Sequence, residues 1–297
     1  MLKSGKTILL LGGLTGLLLF IGELVGGSNG VVVAFGFAIA MNGISYFFSH
    51  KIAVKMARAV PMDEAEYPGV YAIVRSLSQR AGEPMPALYI SPSPQLNAFA
   101  TGRNPQHAVV CVNHGLYEAL TDEELEGVLG HELQHVYNRD ILVGSVAATI
   151  AGAIMMVSRM ALWFGGGRRR DSNPVIAIAM LILGPIAAIM VQAAITRSRE
   201  SLADHTGAEL TGNPLGLARA LAKLEAGAND PRRLKAGGVP AEMNQAYAHL
   251  YIAAPFGGRL GLGRLFSTHP PIPDRIAALE EMAREKGQLG PGQTIYG

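Results

Sequence analysis

The chain has 297 residues, a formal charge of +2 and 16% charged residues, with a mean hydropathy of +0.25. An ordinary soluble domain carries about 25% charged residues; here the apolar residues gather into separate blocks, which excludes a chain wholly immersed in water. A single cysteine, Cys111, rules out an intrachain disulfide, and the small charge, with its basic residues beside the apolar blocks, gives no case for nucleic acid.

Residues 1–49 form the first expected unit, a transmembrane hairpin. Blocks 7–27 and 31–48 are each near the roughly 18–20 apolar residues that cross a bilayer, and a short Gly/Ser/Asn turn joins them. Lys3 and Lys6 ahead of the first block would suit a signal peptide, but its length and the second block close behind favour a retained span. Glu23 lies near the end of its block, where an interfacial position suffices.

Residues 50–140 are expected to form the first part of a catalytic domain. A helix is predicted over 64–81, ended by the breaker-rich Gly82-Glu83-Pro84-Met85-Pro86. Strands follow over 87–90, 97–101 and 107–112, the last two joined by a hairpin loop at 102–106. Cys111 sits in an apolar run and reads as a small buried hydrophobe. Thr121-Asp122-Glu123-Glu124 has the form of a capping box, with Leu125, Val128, Leu129 and Val136 at helical spacing behind it.

That helix carries His131-Glu132-Leu133-Gln134-His135. Two histidines four apart lie about 40° apart around a helix of 3.6 residues per turn, so both imidazoles can reach one zinc ion. Glu132 between them is placed to act as general base toward a water. The motif therefore proposes a zinc peptidase.

Blocks 141–164 and 175–195 make a second transmembrane hairpin, expected over 141–195. If every block crosses, Lys3, Lys6, Lys51, Lys55, Arg58, Arg139, Arg197 and Arg199 fall on one side, which would be cytoplasmic and would hold the catalytic domain. Arg168, Arg169 and Arg170 fall on the other side. Either they are tolerated there, with Arg159 snorkelling, or the second hairpin is only partly embedded.

Residues 196–297 complete the catalytic domain. A helix over 197–211 ends at Gly212, and Asn213-Pro214 opens the next. After an irregular apolar stretch at 253–266, Thr268-His269-Pro270-Pro271-Ile272-Pro273 leads into a helix over 274–286. A catalytic zinc takes three protein ligands. Glu200 is the candidate third, with Asp204 four residues on positioned to accept from the distal nitrogen of a ligand histidine. On spacing alone, a solvated carboxylate pair beside arginines fits equally.

The HELQH helix after TDEELEGVLG, the apolar hairpin behind it, RSRESLAD, NAFATG and STHPPIPDRI, in this order, resemble the HtpX membrane metalloproteases, relatives of the type I CAAX prenyl endopeptidases. The resemblance implies that Glu200 is the third zinc ligand and that Asn97, Ala98, Phe99 and Ala100 are a substrate-binding edge strand. It also makes His269 the first candidate for stabilising the oxyanion, with Arg197 second. The implied fold is a mainly α integral membrane protein of four transmembrane helices, with a cytoplasmic α+β zincin-like catalytic domain split by the second hairpin. The implied activity is zinc-dependent endoproteolysis of misfolded membrane proteins at the inner membrane, in quality control or stress response, with one Zn2+ per chain and the lipid bilayer as partner.

His135 lies six residues before Ile141 and Glu200 five after Ile195, so helical rise ties both to within about 10 Å of the apolar blocks. Three other readings compete: a catalytically silent zinc-binding scaffold, a prenyl-protein endopeptidase, and a transporter. The last would need paired charges at mid-membrane depth, and the sequence has none there.

Overall fold

The computed structural model describes residues 53–140, 174–228 and 270–296, with scattered helical positions between 16 and 51 and between 143 and 154. The chain divides into two units: one of Met1–Phe47, Leu142–Ser198 and Gly258–Thr268, the other of Phe48–Ile141, Arg199–Gly257 and His269–Gly297.

The second unit is α+β. Its sheet has four strands in the order β1-β2-β4-β3, with β1 Val60–Pro61, β2 Ala87–Ser91, β3 Ala98–Gly102 and β4 Ala108–Asn113. β2 and β4 run parallel, with Tyr89 opposite Cys111, and β3 lies antiparallel to β4, with Ala100 opposite Val110. The three strands of the sequence reading are present within one residue at each end. The two-residue β1 was not foreseen; it is too short to show a period of two.

Helix α1, Pro68–Ala81, begins four residues later than the predicted 64–81. Pro68 explains the shift, because a proline disfavours helical backbone at the residue before it, here Tyr67. Gly82 ends the helix in the left-handed conformation at φ 67°. Helix α2, His114–Ala119, follows β4 directly.

Helix α3, Asp122–Tyr137, has the expected capping box: Thr121 Oγ1 accepts from the Glu124 N–H, and the Thr121 N–H donates to Glu124 Oε2 at 2.8 Å. Leu125, Val128, Leu129, Leu133 and Val136 bury one face of it. They join Val74 and Leu77 of α1, Val110 and Val112 of β4, and Leu217, Leu221 and Leu224 in one core. Each fully buried leucine there contributes about 1.5–3 kcal/mol.

Helix α4 spans Pro174–Thr211 without interruption. The sequence predicts an apolar block here and a separate helix from 197. No glycine or proline stands between Ile195 and Arg197, so nothing stops the helix there. Gly212, at φ +72°, ends it. Helix α5, Pro214–Ala228, follows, with the Asn213 side chain accepting from the Gly216 N–H at 3.1 Å. Helix α6, Ile272–Glu285, starts two residues before the expected Asp274.

Among the described residues no helix is long and apolar enough to cross a membrane. Blocks 7–27, 31–48 and 141–164 lie largely outside those residues, so the expectation of four spans finds no counterpart among them.

Candidate metallopeptidase site

Two close backbone approaches bring the site together. A Cβ at Gly207 of α4 would stand 3.0 Å from both the nitrogen and the Cα of His131, so the two helices touch backbone to backbone at that histidine. A Cβ at Gly216 of α5 would stand 2.6 Å from the Glu123 carbonyl oxygen, which holds α5 against the start of α3 in the same way. Glycine is required where backbones meet this closely.

His131, His135 and Glu200 converge, their potential ligand atoms all within 4.8 Å of one another. The two Nε2 atoms are 3.1 Å apart, His135 Nε2 is 3.3 Å from Glu200 Oε1, and His131 Nε2 is 3.7 Å from Glu200 Oε2. The opposite ring nitrogens point away from this centre, each to its own carboxylate. His131 Nδ1 lies 2.9 Å from Asp204 Oδ1, and His135 Nδ1 lies 2.8 Å from Asp140 Oδ2. His135 Nδ1 is hydrogen-bonded to Asp140, while His131 Nδ1 stands at ion-pair distance from Asp204 without hydrogen-bond geometry; both Nε2 atoms face the centre, as in metal-binding histidines. Two imidazole nitrogens and one carboxylate form a donor set suited to catalytic zinc, and the site's residues fit that ion.

Each carboxylate is in turn held by a buried arginine. Arg275 of α6 donates through Nε and Nη2 to the two oxygens of Asp204, at 2.8 and 2.7 Å. Arg199 of α4 donates through Nε and Nη2 to Asp140 and through Nη2 to the Asn138 carbonyl. Burial opposes ionisation of Asp204, yet the Arg275 guanidinium and His131 bring its carboxyl down to about 2. Burial also opposes the charge on His135, but the Glu200 carboxylate beside it outweighs burial and raises the imidazole above its ordinary value.

Glu132 is buried, and burial pushes its carboxyl up, with Glu200 adding to the rise against the pull of both histidines. Its Oε2 accepts from the Ala100 backbone N–H at 2.8 Å. A carboxyl raised toward neutrality can take up and release a proton more readily near neutral pH than an ordinary glutamate.

Of the residues singled out in the sequence, the structure brings together His131, Glu132, His135, Glu200 and Asp204, with Ala100 beside Glu132. Asn97 is buried, and its carbonyl accepts from the Asn113 N–H. Ala98 is buried, and Phe99 packs into a small cluster with Ala53 and Cys111. The aromatic ring of Phe99 is therefore a core group. Arg197, half-buried, lies one turn before Glu200 on α4 and belongs to the first unit, whose middle segment runs Leu142–Ser198. His269 lies outside the described residues. Sequence reasoning missed Asp140, Arg199 and Arg275. Their only sequence signal is charge beside a ligand or beside an apolar block, which surface residues share. The other described histidines stand apart from the centre: His114 pairs with Glu118, His205 with Glu209, and His107 with Arg103 and Asn104.

A helix carrying HExxH, a glutamate brought to it from a second helix, and an edge strand beside Glu132 form an arrangement suited to a metallopeptidase. The family model described as peptidase family M48 matches residues 64–283, and the chain belongs to that family. The family is zinc-dependent in general.

The chain is 47% identical over 285 residues to a protease HtpX homolog of Pelotomaculum thermopropionicum, covering 94% of this chain and 98% of that one. It is 50% identical over 286 residues to a protease HtpX homolog of Syntrophobacter fumaroxidans, covering 93% and 98%. Against a homolog of the same name from Thermococcus sibiricus the identity is 48% over 290 residues, covering 95% and 97%. Among solved structures, S. mikatae Ste24p superimposes with a TM-score of 0.52 at 19% identity, over 91% of this chain and 62% of that one. That likeness is one of fold.

Proposed function

We propose that the chain is a zinc endopeptidase, one Zn2+ per chain, that cleaves misfolded membrane proteins at cytoplasmic segments near the bilayer, in quality control or stress response. The observation that carries the proposal is the convergence of His131, His135 and Glu200 within 4.8 Å, with Glu132 buried between the two histidines' helix and β3. Bound zinc would supply a Lewis acid that acidifies water and polarises the scissile carbonyl.

The residues do the rest. Glu132 takes a proton from the attacking water and passes it to the leaving amine. Asp204 and Asp140 keep the two imidazoles in the tautomer whose Nε2 is free to bind. β3 is an edge strand, so an extended peptide can pair along it, and its burial favours a substrate threaded in as an unfolded segment. Within Asn97–Ala100, the Ala98 N–H and the carbonyls of Ala98 and Ala100 are the proposed pairing groups, since alternate residues of an antiparallel strand turn their amides outward and the Ala100 N–H is held by Glu132. His269 is proposed to stabilise the oxyanion, with Arg197 second.

The membrane part of the reading is supported by the four apolar blocks and by the side chains of α4. Ile182, Leu183, Ile186, Ile189 and Met190 are exposed at helical spacing, an apolar stripe that water disfavours and lipid accepts. We take residues 1–49 and 141–195 as two transmembrane hairpins, the second dividing the catalytic domain into 50–140 and 196–297.

The test is zinc content together with proteolysis of a membrane substrate by the full chain and its Glu132→Gln variant, each purified in detergent with chelator and then reloaded. One zinc in both proteins, with cleavage only in the unsubstituted one, is expected. Equal cleavage by both would sink the proposed role of Glu132; absence of zinc from both would sink the metal site. Moving the scissile bond progressively away from the substrate's span should reduce cleavage.

A further inference from the structure

Asp140 and Arg199 occupy a particular place in the chain. The catalytic unit ends its first segment at Ile141 and resumes at Arg199, so the two residues stand at the points where the chain leaves this unit and returns to it. They are 59 positions apart in sequence, yet the Arg199 guanidinium is fastened to Asp140 Oδ1 and to the Asn138 carbonyl. Both are buried, each 8% exposed. The remaining oxygen, Asp140 Oδ2, meets His135 Nδ1 at 2.8 Å. Arg199 is also the immediate neighbour of Glu200 on α4.

We infer that Asp140 and Arg199 form a clasp that positions His135 for metal binding and keeps Glu200 in register with it across the inserted segment. The inference rests on the proposed zinc site. The geometry supports it in three ways. First, Asp140 lies beyond the end of α3, where Arg139 adopts a positive φ of 55°. Helical periodicity does not set its position there; Arg199 does.

Second, Asp140 Oδ2 accepts from His135 Nδ1, which orients the ring so that Nε2 faces the centre. Third, the same clasp joins the HELQH side of the site to the Glu200 side, so displacement of one ligand strand is resisted by the other. Asp204 and Arg275 do the corresponding work for His131. That pair, however, ties α4 to α6, and Arg275 is drawn from another region of the chain. Both Asp140 and Arg199 are positioning residues, acting on the metal through His135 and Glu200.

The experiment uses the full chain in detergent, in a Glu132→Gln background to prevent self-cleavage, with three readouts. These are zinc affinity by chelator competition, the visible absorption spectrum of the cobalt-loaded protein, and thermal melting of the apoprotein. Asp140→Asn is compared with the charge-free pair Asp140→Leu/Arg199→Met, which leaves no buried charge without a partner.

Zinc affinity is expected to fall by about 10–100-fold in both, the usual effect of removing an outer partner of a ligand histidine. The cobalt bands are expected to shift, and the pair of substitutions to melt closer to the unsubstituted protein than Asp140→Asn does. Unchanged zinc affinity and cobalt spectrum in either variant would overturn the inference. So would affinity restored in the charge-free pair, which would make the clasp purely a matter of fold stability. If the unsubstituted chain itself binds no zinc, it is the proposed function that fails.

Discussion

The backbone N–H of Ala100 donates to Glu132 Oε2 at 2.8 Å, joining the edge strand to the helix that carries the histidine pair. The bond holds the carboxylate in one rotamer beside the strand on which substrate is proposed to lie. Ala100→Pro deletes this donor and puts a ring carbon where the Glu132 carboxylate now lies, so the carboxylate is displaced as well; because the N–H points away from β4 the ladder is kept. A hydrogen bond to a charged group is worth about 1.5–3 kcal/mol, so kcat is expected to fall roughly 10–100-fold with zinc content unchanged. Steady-state kinetics with metal analysis checks both halves.

Gly207→Ala would put a methyl 3.0 Å from the His131 backbone, and α3 and α4 must move apart by tenths of an ångström. Overpacking of this kind costs about 1–3 kcal/mol. Zinc affinity should weaken along with stability, since His131 and Glu200 are carried by the two helices. Gly69→Ala on α1, with nothing within 4 Å, is the control, and it should be neutral or slightly stabilising. Melting temperature and chelator competition separate the two variants.

Glu124 closes the capping box and pairs with Lys223 Nζ at 2.7 Å. Burial opposes its charge, but Lys223 and the Thr121 N–H outweigh burial and lower its pKa from 4.5. A carboxyl lowered by folding contributes stability that is complete above its unfolded value and lost as pH falls through its folded one. Glu124→Gln should therefore destabilise the protein at pH 7 and leave a smaller loss below about pH 4.5 than the unsubstituted chain shows. Denaturant midpoints measured from pH 7 to pH 3 read the difference. Thr121→Ala should cost about 1 kcal/mol with no such pH dependence.

Cys111 is fully buried on β4, and burial pushes its thiol up to about 12. The native protein should resist iodoacetamide at pH 8 and react rapidly once denatured. Fast alkylation of the folded protein, followed by mass spectrometry, would contradict its place in the Phe99–Ala53 cluster.

Local features were legible in the chain. The capping box, the stripe behind it and the four-residue spacing of the histidines act through neighbours within two turns of one helix, so sequence spacing translates directly into geometry. Glu200 and Asp204 share a face for the same reason. The start of α1 falls four residues after the expected one because Pro68 disfavours helical backbone at Tyr67. Helix α4 was divided where the composition changes from apolar to charged. Hydrogen bonding along a helix does not register such a change.

Sequence alone marked the candidate ligands, the candidate general base, three of the four strands of the sheet and the family resemblance, since each is written in contiguous residues. Tertiary structure decided which ring nitrogen of each histidine faces the centre, because Asp204 lies on another helix and Asp140, just past the end of α3, is held in place by Arg199. Arg199 and Asp140 meet across 59 positions, Arg275 and Asp204 across 71, and Ala100 and Glu132 across 32. No periodicity reaches that far; these contacts come from α4 packed against α3, where Gly207 meets the His131 backbone, from α6 against α4, and from β3 against α3.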